Sequence, residues 1–294
     1  MHIEAHSKEL IAKELVCKSD LDSFCHLLNE NQIPFLIWKG SALAYDLYAD
    51  PLLRPRTDTD VLILENHRSA IFDLLSGNGY TSQPNQQALL GQVSFVKKIN
   101  QLPVIYDVHW QVFAQQTLKS LFSFDELWGE RKRLLHVPAY TVSDEMALIL
   151  SSVHWVAHHY SHPEPHWIAD LQLLSAHRTS KWWHKVKEIC ENKNIRHIVH
   201  GTLQRAQVES PWQGEMLPAE PLQYLLSPLR TQWSDFYHDW RSMSWLQRFH
   251  ILGNHLFPSA DYIRHKYQIR LSWSLPFFYM FRIFWGLVKG LKLH

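Results

Sequence analysis

Two aspartates one residue apart, Asp58 and Asp60, stand at the head of an apolar run, Val61-Leu62-Ile63-Leu64. Side chains two apart on a strand share a face, so a strand here projects both carboxylates side by side. A third carboxylate, Asp107, lies in the run Val104 to Phe113, where alternation sets Ile105, Asp107 and His109 opposite Val104, Tyr106, Val108 and Trp110. If that strand pairs beside the Asp58 strand, Asp58, Asp60 and Asp107 converge. Like charges packed so closely raise one another's pKa unless a cation neutralises them. Oxygen donors that leave room for water and phosphate suit Mg²⁺, with Mn²⁺ as an alternative. Two such ions about 3.5–4 Å apart can clamp the attacking and leaving oxygens of an in-line displacement at phosphorus.

Phosphate needs donors, and the segment Trp38-Lys39-Gly40-Ser41 offers them at an expected strand-to-helix turn. Lys39 brings charge, while the backbone of Gly40 and Ser41 brings close approach and helix N-terminal amides. Arg54, four residues before Asp58, is read either as a bidentate triphosphate contact or as a partner of the acidic cluster. His109, on the Asp107 face, is read as a ligand or proton shuttle, against a hydrogen-bonded core histidine.

These residues need a scaffold, and the apolar spacing supplies one. Residues 8–30 read as an amphipathic helix, 34–38 as a short buried strand, and Gly40 as the opening of a helix through Leu47. A strand is expected over 58–64, then a helix over 68–76 stopped by Gly77 and Gly79. Two β-rich runs, 92–99 and 104–113, flank Asn100-Gln101-Leu102-Pro103, read as a hairpin turn. After Pro138 the pattern becomes helical, with helices expected over 144–159, 166–177, 181–191 and 245–256. The expected class is α+β: a small mixed sheet with flanking helices, residues 1–136, followed by a mainly helical domain, residues 137–294.

The order of the motifs resembles the DNA polymerase beta-type nucleotidyltransferase superfamily. More narrowly, Lys39-Gly40 with Tyr48, Arg54, Asp58-Thr59-Asp60-Val61-Leu62 and Asp107-Val108-His109-Trp110 resemble the bacterial family called uncharacterised nucleotidyltransferase. Weaker likeness extends through His154, His159, Trp167 and Asp170, and through Leu256-Phe257-Pro258-Ser259 with Tyr262. The resemblance implies that Asp58 and Asp60 bridge the catalytic metals and that Asp107 completes the site and deprotonates an attacking hydroxyl. It further implies that Gly40 and Ser41 hold the β and γ phosphates of a nucleoside triphosphate. The implied reaction moves a nucleoside monophosphate to an acceptor hydroxyl and releases pyrophosphate, with the helical domain as acceptor and partner surface. Sixteen residues separate Ser41 from Asp58, more than the superfamily's usual gap. That departure keeps a catalytically silent nucleotide-binding scaffold as an alternative, and the resemblance to superfamily members that act on RNA ends or on protein supplies another.

Bulk properties narrow the partners. Lys and Arg total 29 against 28 for Asp and Glu, so no global field favours a polyanion, and a small molecule or peptide is preferred over nucleic acid as acceptor. Cys17, Cys25 and Cys190 form no close pair or metal spacing, and with no signal-peptide pattern a cytoplasmic setting is expected. His154, His158, His162 and His166 are spaced by four, but Pro163 and Pro165 interrupt them and no zinc centre is expected. The stretch Phe277 to Leu293 is read as a helix buried against the domain, with peripheral membrane contact as the competing reading.

Overall fold

The computed structural model describes residues 2–82, 91–159, 164–212, 219–227, 230–246, 248–249, 260–267 and 274–281. The chain forms two compact units, Met1–Gln232 and Trp233–His294. The first is built on a mixed seven-stranded sheet: β1 Phe35–Trp38, β2 Thr59–Ile63, β3 Thr81–Ser82, β4 Gln92–Ile99, β5 Leu102–His109, β6 Lys132–Arg133 and β7 Tyr140–Thr141, in the order β3-β4-β5-β2-β1-β7-β6. The α+β class expected from the sequence is the one observed.

Alternation in β1 and β2 sorts side chains between two apolar layers. Phe35, Ile37, Val61 and Ile63 join Leu21, Phe24 and Leu28 of helix α1 (His2–Glu30) and Ile71 and Leu75 of α3 (Arg68–Gly77). Leu36, Trp38 and Leu62 face the other way, into a layer with α4 (Phe124–Gly129), α5 (Asp144–His159), α6 (Pro165–Ser175), α7 (Ser180–Asn192) and α8 (Arg196–Arg205). A ring stack of Phe24 on Tyr106 at 4.1 Å seats α1 on the sheet. Buried Asp20 adds a polar anchor there, accepting from the Tyr80 and Tyr106 hydroxyls at 3.0 and 2.9 Å and from Lys97 Nζ at 2.9 Å.

β1 passes directly into α2 (Lys39–Leu47), and a 3-10 turn, Pro51–Leu53, is capped by Asp50 accepting from the Leu52 amide at 2.9 Å. The β4–β5 connection differs from the four-residue turn expected. It is a two-residue turn, Asn100-Gln101, both at positive φ (48° and 68°), with Ile99 paired to Leu102. Positive φ at both central residues gives the twist that suits a tight hairpin. Pro103 is accommodated because β5 pairs with β2 only from Tyr106 onward.

β7 pairs parallel to β1 through Leu36 and Tyr140, and α5 to α8 belong to the same compact unit as the sheet. α8 and the two-residue strands β6 and β7 had no counterpart in the sequence reading. In the second unit, helix α9 (Gln232–Ser242) and a helix Ala260–Tyr267 are described, with Phe236 and Trp240 rings 5.7 Å apart on α9. The expected helix over 245–256 is described only in part. Leu256–Ser259, His162 and most of Phe277–Leu293 lie outside the described residues. No helix among the described residues is long and apolar enough to cross a membrane.

Candidate active site

The parallel pairing of β2 with β5 sets Asp60 beside Asp107 and Leu62 beside His109. Registered neighbours in parallel strands share a face, and Leu62 faces the α5–α8 layer; Asp60, Asp107 and His109 therefore face that layer too. Among the described residues, they form the group of three ligand-bearing side chains whose donor atoms lie within 4.8 Å of one another. Asp58 sits one residue before β2, half-buried, at the entrance to this group.

The charges are arranged unequally. Burial, then the negative charges of Asp60 and Asp107, push the Asp58 carboxyl up to about 6. Burial would raise Asp60 as well, but the Lys39 ammonium and His109 outweigh it and hold this carboxyl well below the usual range. Lys39 Nζ donates to Asp60 Oδ1 at 2.8 Å, and His109 Nε2 lies 2.8 Å from the same oxygen. Burial and the Lys39 charge lower the His109 pKa despite the neighbouring carboxylates. Because an ionised carboxylate only accepts, His109 Nε2–H is the donor to Asp60. Asp107 Oδ1 in turn accepts from Ser94 Oγ at 2.5 Å, across the hairpin pair Ser94 and Asp107.

The residues expected to handle phosphate occupy distinct places. Lys39 has a left-handed backbone (φ 52°) where strand becomes helix, and its ammonium lies 4.4 Å from the Trp38 ring centroid. Gly40 is needed for space: a Cβ there would fall 2.7 Å from Arg54 Nη1. The Ser41 side chain is buried under the strand, donating to the Asp58 carbonyl at 3.1 Å and lying 2.9 Å from Thr59 Oγ1. Arg54 is buried and pairs with Asp170 of α6, Nη2 to Oδ2 at 2.8 Å, while Tyr48 donates to Asp170 Oδ1 at 2.8 Å.

A cleft of about 550 Å³ opens over this group. Its sheet side carries Lys39, Gly40, Asp58, Asp60, Asp107 and His109; its helical side carries Ser151, His154, Trp155, His166, Trp167 and Asp170. The structure thus brings together Lys39, Gly40, Arg54, Asp58, Asp60, Asp107 and His109, and leaves the Ser41 hydroxyl outside the cleft lining. Sequence reasoning missed Ser94 and His166. A correct hairpin register would have found Ser94; no local signal marks His166, which the histidine spacing associated with other partners.

Residues 1–208 match the model of a protein family described as uncharacterised nucleotidyltransferase. The chain belongs to this uncharacterised nucleotidyltransferase family. No curated protein matches it. Among solved structures, this nucleotidyltransferase is similar to the solution structure of the antibiotic-resistance factor ANT(2'')-Ia, at 14% identity over 69% of this chain and 97% of that one, with a TM-score of 0.40. It is also similar to an antigenic nucleotidyltransferase-like protein from Paracoccidioides brasiliensis, at 14% identity over 67% and 95% of the two chains and a TM-score of 0.42. A crystal structure of ANT(2'')-Ia with adenylyl-2''-tobramycin matches at 14% identity over 58% and 93%, with a TM-score of 0.40. Likeness this loose transfers no substrate to the present nucleotidyltransferase.

Proposed function

We propose that the protein transfers a nucleoside monophosphate from a nucleoside triphosphate to an acceptor hydroxyl, with a divalent cation, Mg²⁺ or Mn²⁺, held by Asp58, Asp60 and Asp107. The observation that carries this reading is the parallel registration of Asp60 with Asp107, next to an Asp58 carboxyl that burial, and then the charges of these two aspartates, push up to about 6. Hard carboxylate oxygens so placed suit a hard cation, and the crowding is what a cation relieves. The family membership of the chain supports the reaction class.

The ions would supply charge neutralisation at the transferring phosphorus, in a two-metal arrangement. The chain's own groups supply the rest. Asp107 accepts the proton of the acceptor hydroxyl, with Ser94 fixing one of its oxygens. The acceptor oxygen bonds to the α-phosphorus, the bond to the β-phosphate oxygen breaks, and pyrophosphate leaves. The α2 N-terminus at Gly40 and Ser41, with Lys39 and Arg54, faces the β and γ phosphates. His109 and Lys39 both meet Asp60 at Oδ1. The helical side of the cleft, part of the region 137–294, receives the acceptor. A cleft of about 550 Å³ is of small-molecule size, which favours a small acceptor or the end of a peptide over folded RNA.

Calorimetric titration with ATP and the other NTPs, with and without Mg²⁺, tests the reading on the natural chain and on Asp58→Ala/Asp60→Ala. Metal-dependent binding lost in the double variant is the expected result. Undiminished binding in that variant, or none in either protein, rejects the assignment.

A further inference from the structure

Asp60 already has a cation. Lys39 Nζ sits on Asp60 Oδ1 at 2.8 Å, with only 20% and 12% of the two side chains exposed. The ammonium is steadied from behind by the buried Trp38 ring at 4.4 Å. The same carboxylate belongs to the one described group, Asp60, Asp107 and His109, whose donor atoms are close enough to share a metal. An ammonium has no lone pair to give a metal, and two cations crowded on one carboxylate repel each other, so Lys39 and a divalent cation compete for the charge of Asp60.

Lys39 also lines the cleft, at the turn where α2 begins. The residue after it is glycine, and Arg54 Nη1 packs against that glycine's open side. An ammonium displaced from Asp60 therefore lies at the head of a helix, where triphosphate is attracted. Its four-carbon stem pivots without any change in the left-handed backbone that carries it.

We infer that Lys39 is the resident counter-ion of Asp60 and is handed to the triphosphate when a divalent cation takes the carboxylate, so that metal and nucleotide enter by one exchange. The inference rests on the nucleotidyltransfer reading above. Each ligand then removes a cost from the other's binding: the metal frees Lys39, and the triphosphate gives the freed ammonium a destination. Linkage makes that coupling reciprocal. A further consequence is that metal alone binds weakly, because Lys39 must be expelled with nothing to receive it.

The test is Mn²⁺ binding followed by electron paramagnetic resonance of the free ion, on the full chain, with and without an ATP analogue carrying an α,β-methylene bridge. Natural protein, Lys39→Met and Lys39→Arg are compared; Met keeps the length of the side chain and Arg keeps the charge. In Lys39→Met, Mn²⁺ alone binds about tenfold tighter while the analogue in the presence of Mn²⁺ binds about tenfold weaker, a coupling change of the size found between linked sites. Lys39→Arg stays near the natural protein in Mn²⁺ affinity. Equal Mn²⁺ affinity in the natural chain and Lys39→Met overturns the exchange and leaves the metal site standing. Absence of Mn²⁺ binding in all three proteins overturns the exchange together with the nucleotidyltransfer reading beneath it.

Discussion

Gly40 and Arg54 fit together because one of them has no side chain: the Arg54 Nη1 atom lies 2.7 Å from where a Gly40 Cβ would stand. Arg54 cannot retreat cheaply, since it is buried and held by Asp170. Gly40→Ala is expected to cost about 1–3 kcal/mol, as overpacking of a filled interior does. Urea denaturation measures it. In an Arg54→Met background the same substitution should cost much less, and an equal cost in both backgrounds would place the strain elsewhere.

The Arg54–Asp170 pair itself is nearly inaccessible, with side chains 7% and 2% exposed. Asp170→Ala strands a buried guanidinium and removes the acceptor of the Tyr48 hydroxyl. Losses of about 3–5 kcal/mol are typical of a broken buried pair. Arg54→Met/Asp170→Leu, which removes both charges, should lose less than Asp170→Ala alone. Denaturation midpoints for the three proteins decide this.

Asp58 provides a pH dependence whose sign can be worked out. Its folded-state pKa of about 6 is above the ordinary value of 3.8, so the folded chain holds this proton more tightly than the unfolded chain. The stability tied to that proton is fully present below pH 3.8 and lost as pH rises through about 6. In metal-free buffer Asp58→Asn should therefore be more stable than the natural protein at pH 8, by about 1 kcal/mol after allowance for solvent screening, and equal to it near pH 4. Thermal melts in chelator across that range check the slope. Saturating Mg²⁺ should reverse the order at pH 8, because the ion favours the carboxylate.

Asp107→Asn keeps the shape of the side chain but cannot take a proton from an acceptor. Turnover is expected to fall by at least about 10²–10⁴-fold, the usual share of a general base, and Mg²⁺-dependent NTP affinity should fall too, because one of the three proposed cation ligands loses its charge. Pyrophosphate release, measured with the first acceptor identified and as slow release to water, follows it. Unaltered turnover would move the base to another residue.

Much of this arrangement can be read from spacing alone. Alternation in Val104–Trp110 puts Asp107 and His109 on one face, and the apolar run after Asp60 marks a buried strand, so their meeting follows once β5 lies beside β2. What alternation cannot give is register. A turn over Asn100–Pro103 would set Val96 opposite Asp107, whereas the tight turn at Asn100-Gln101 sets Ser94 there. The Ser94–Asp107 contact was hidden by a two-residue difference in turn length. Arg54 and Asp170 are 116 positions apart, and no local pattern joins a loop arginine to a carboxylate on a distant helix. β6 and β7 are two residues each, too short for any period to show.

Position 39 sets two kinds of selection against each other. Its backbone is left-handed, φ 52°, a conformation in which glycine is at ease and a side chain costs about 1 kcal/mol or more. Lysine is there in spite of the backbone. Lys39→Gly by itself strips the buried Asp60 of its counter-ion, so a library sorted for heat resistance alone should drift toward Lys39→Gly or Lys39→Asn only where Asp60 is free to vary with it, and one sorted for nucleotide use should keep lysine. Position 39 is thus a place where an engineer's consensus for stability and the enzyme's own ancestry would be expected to disagree.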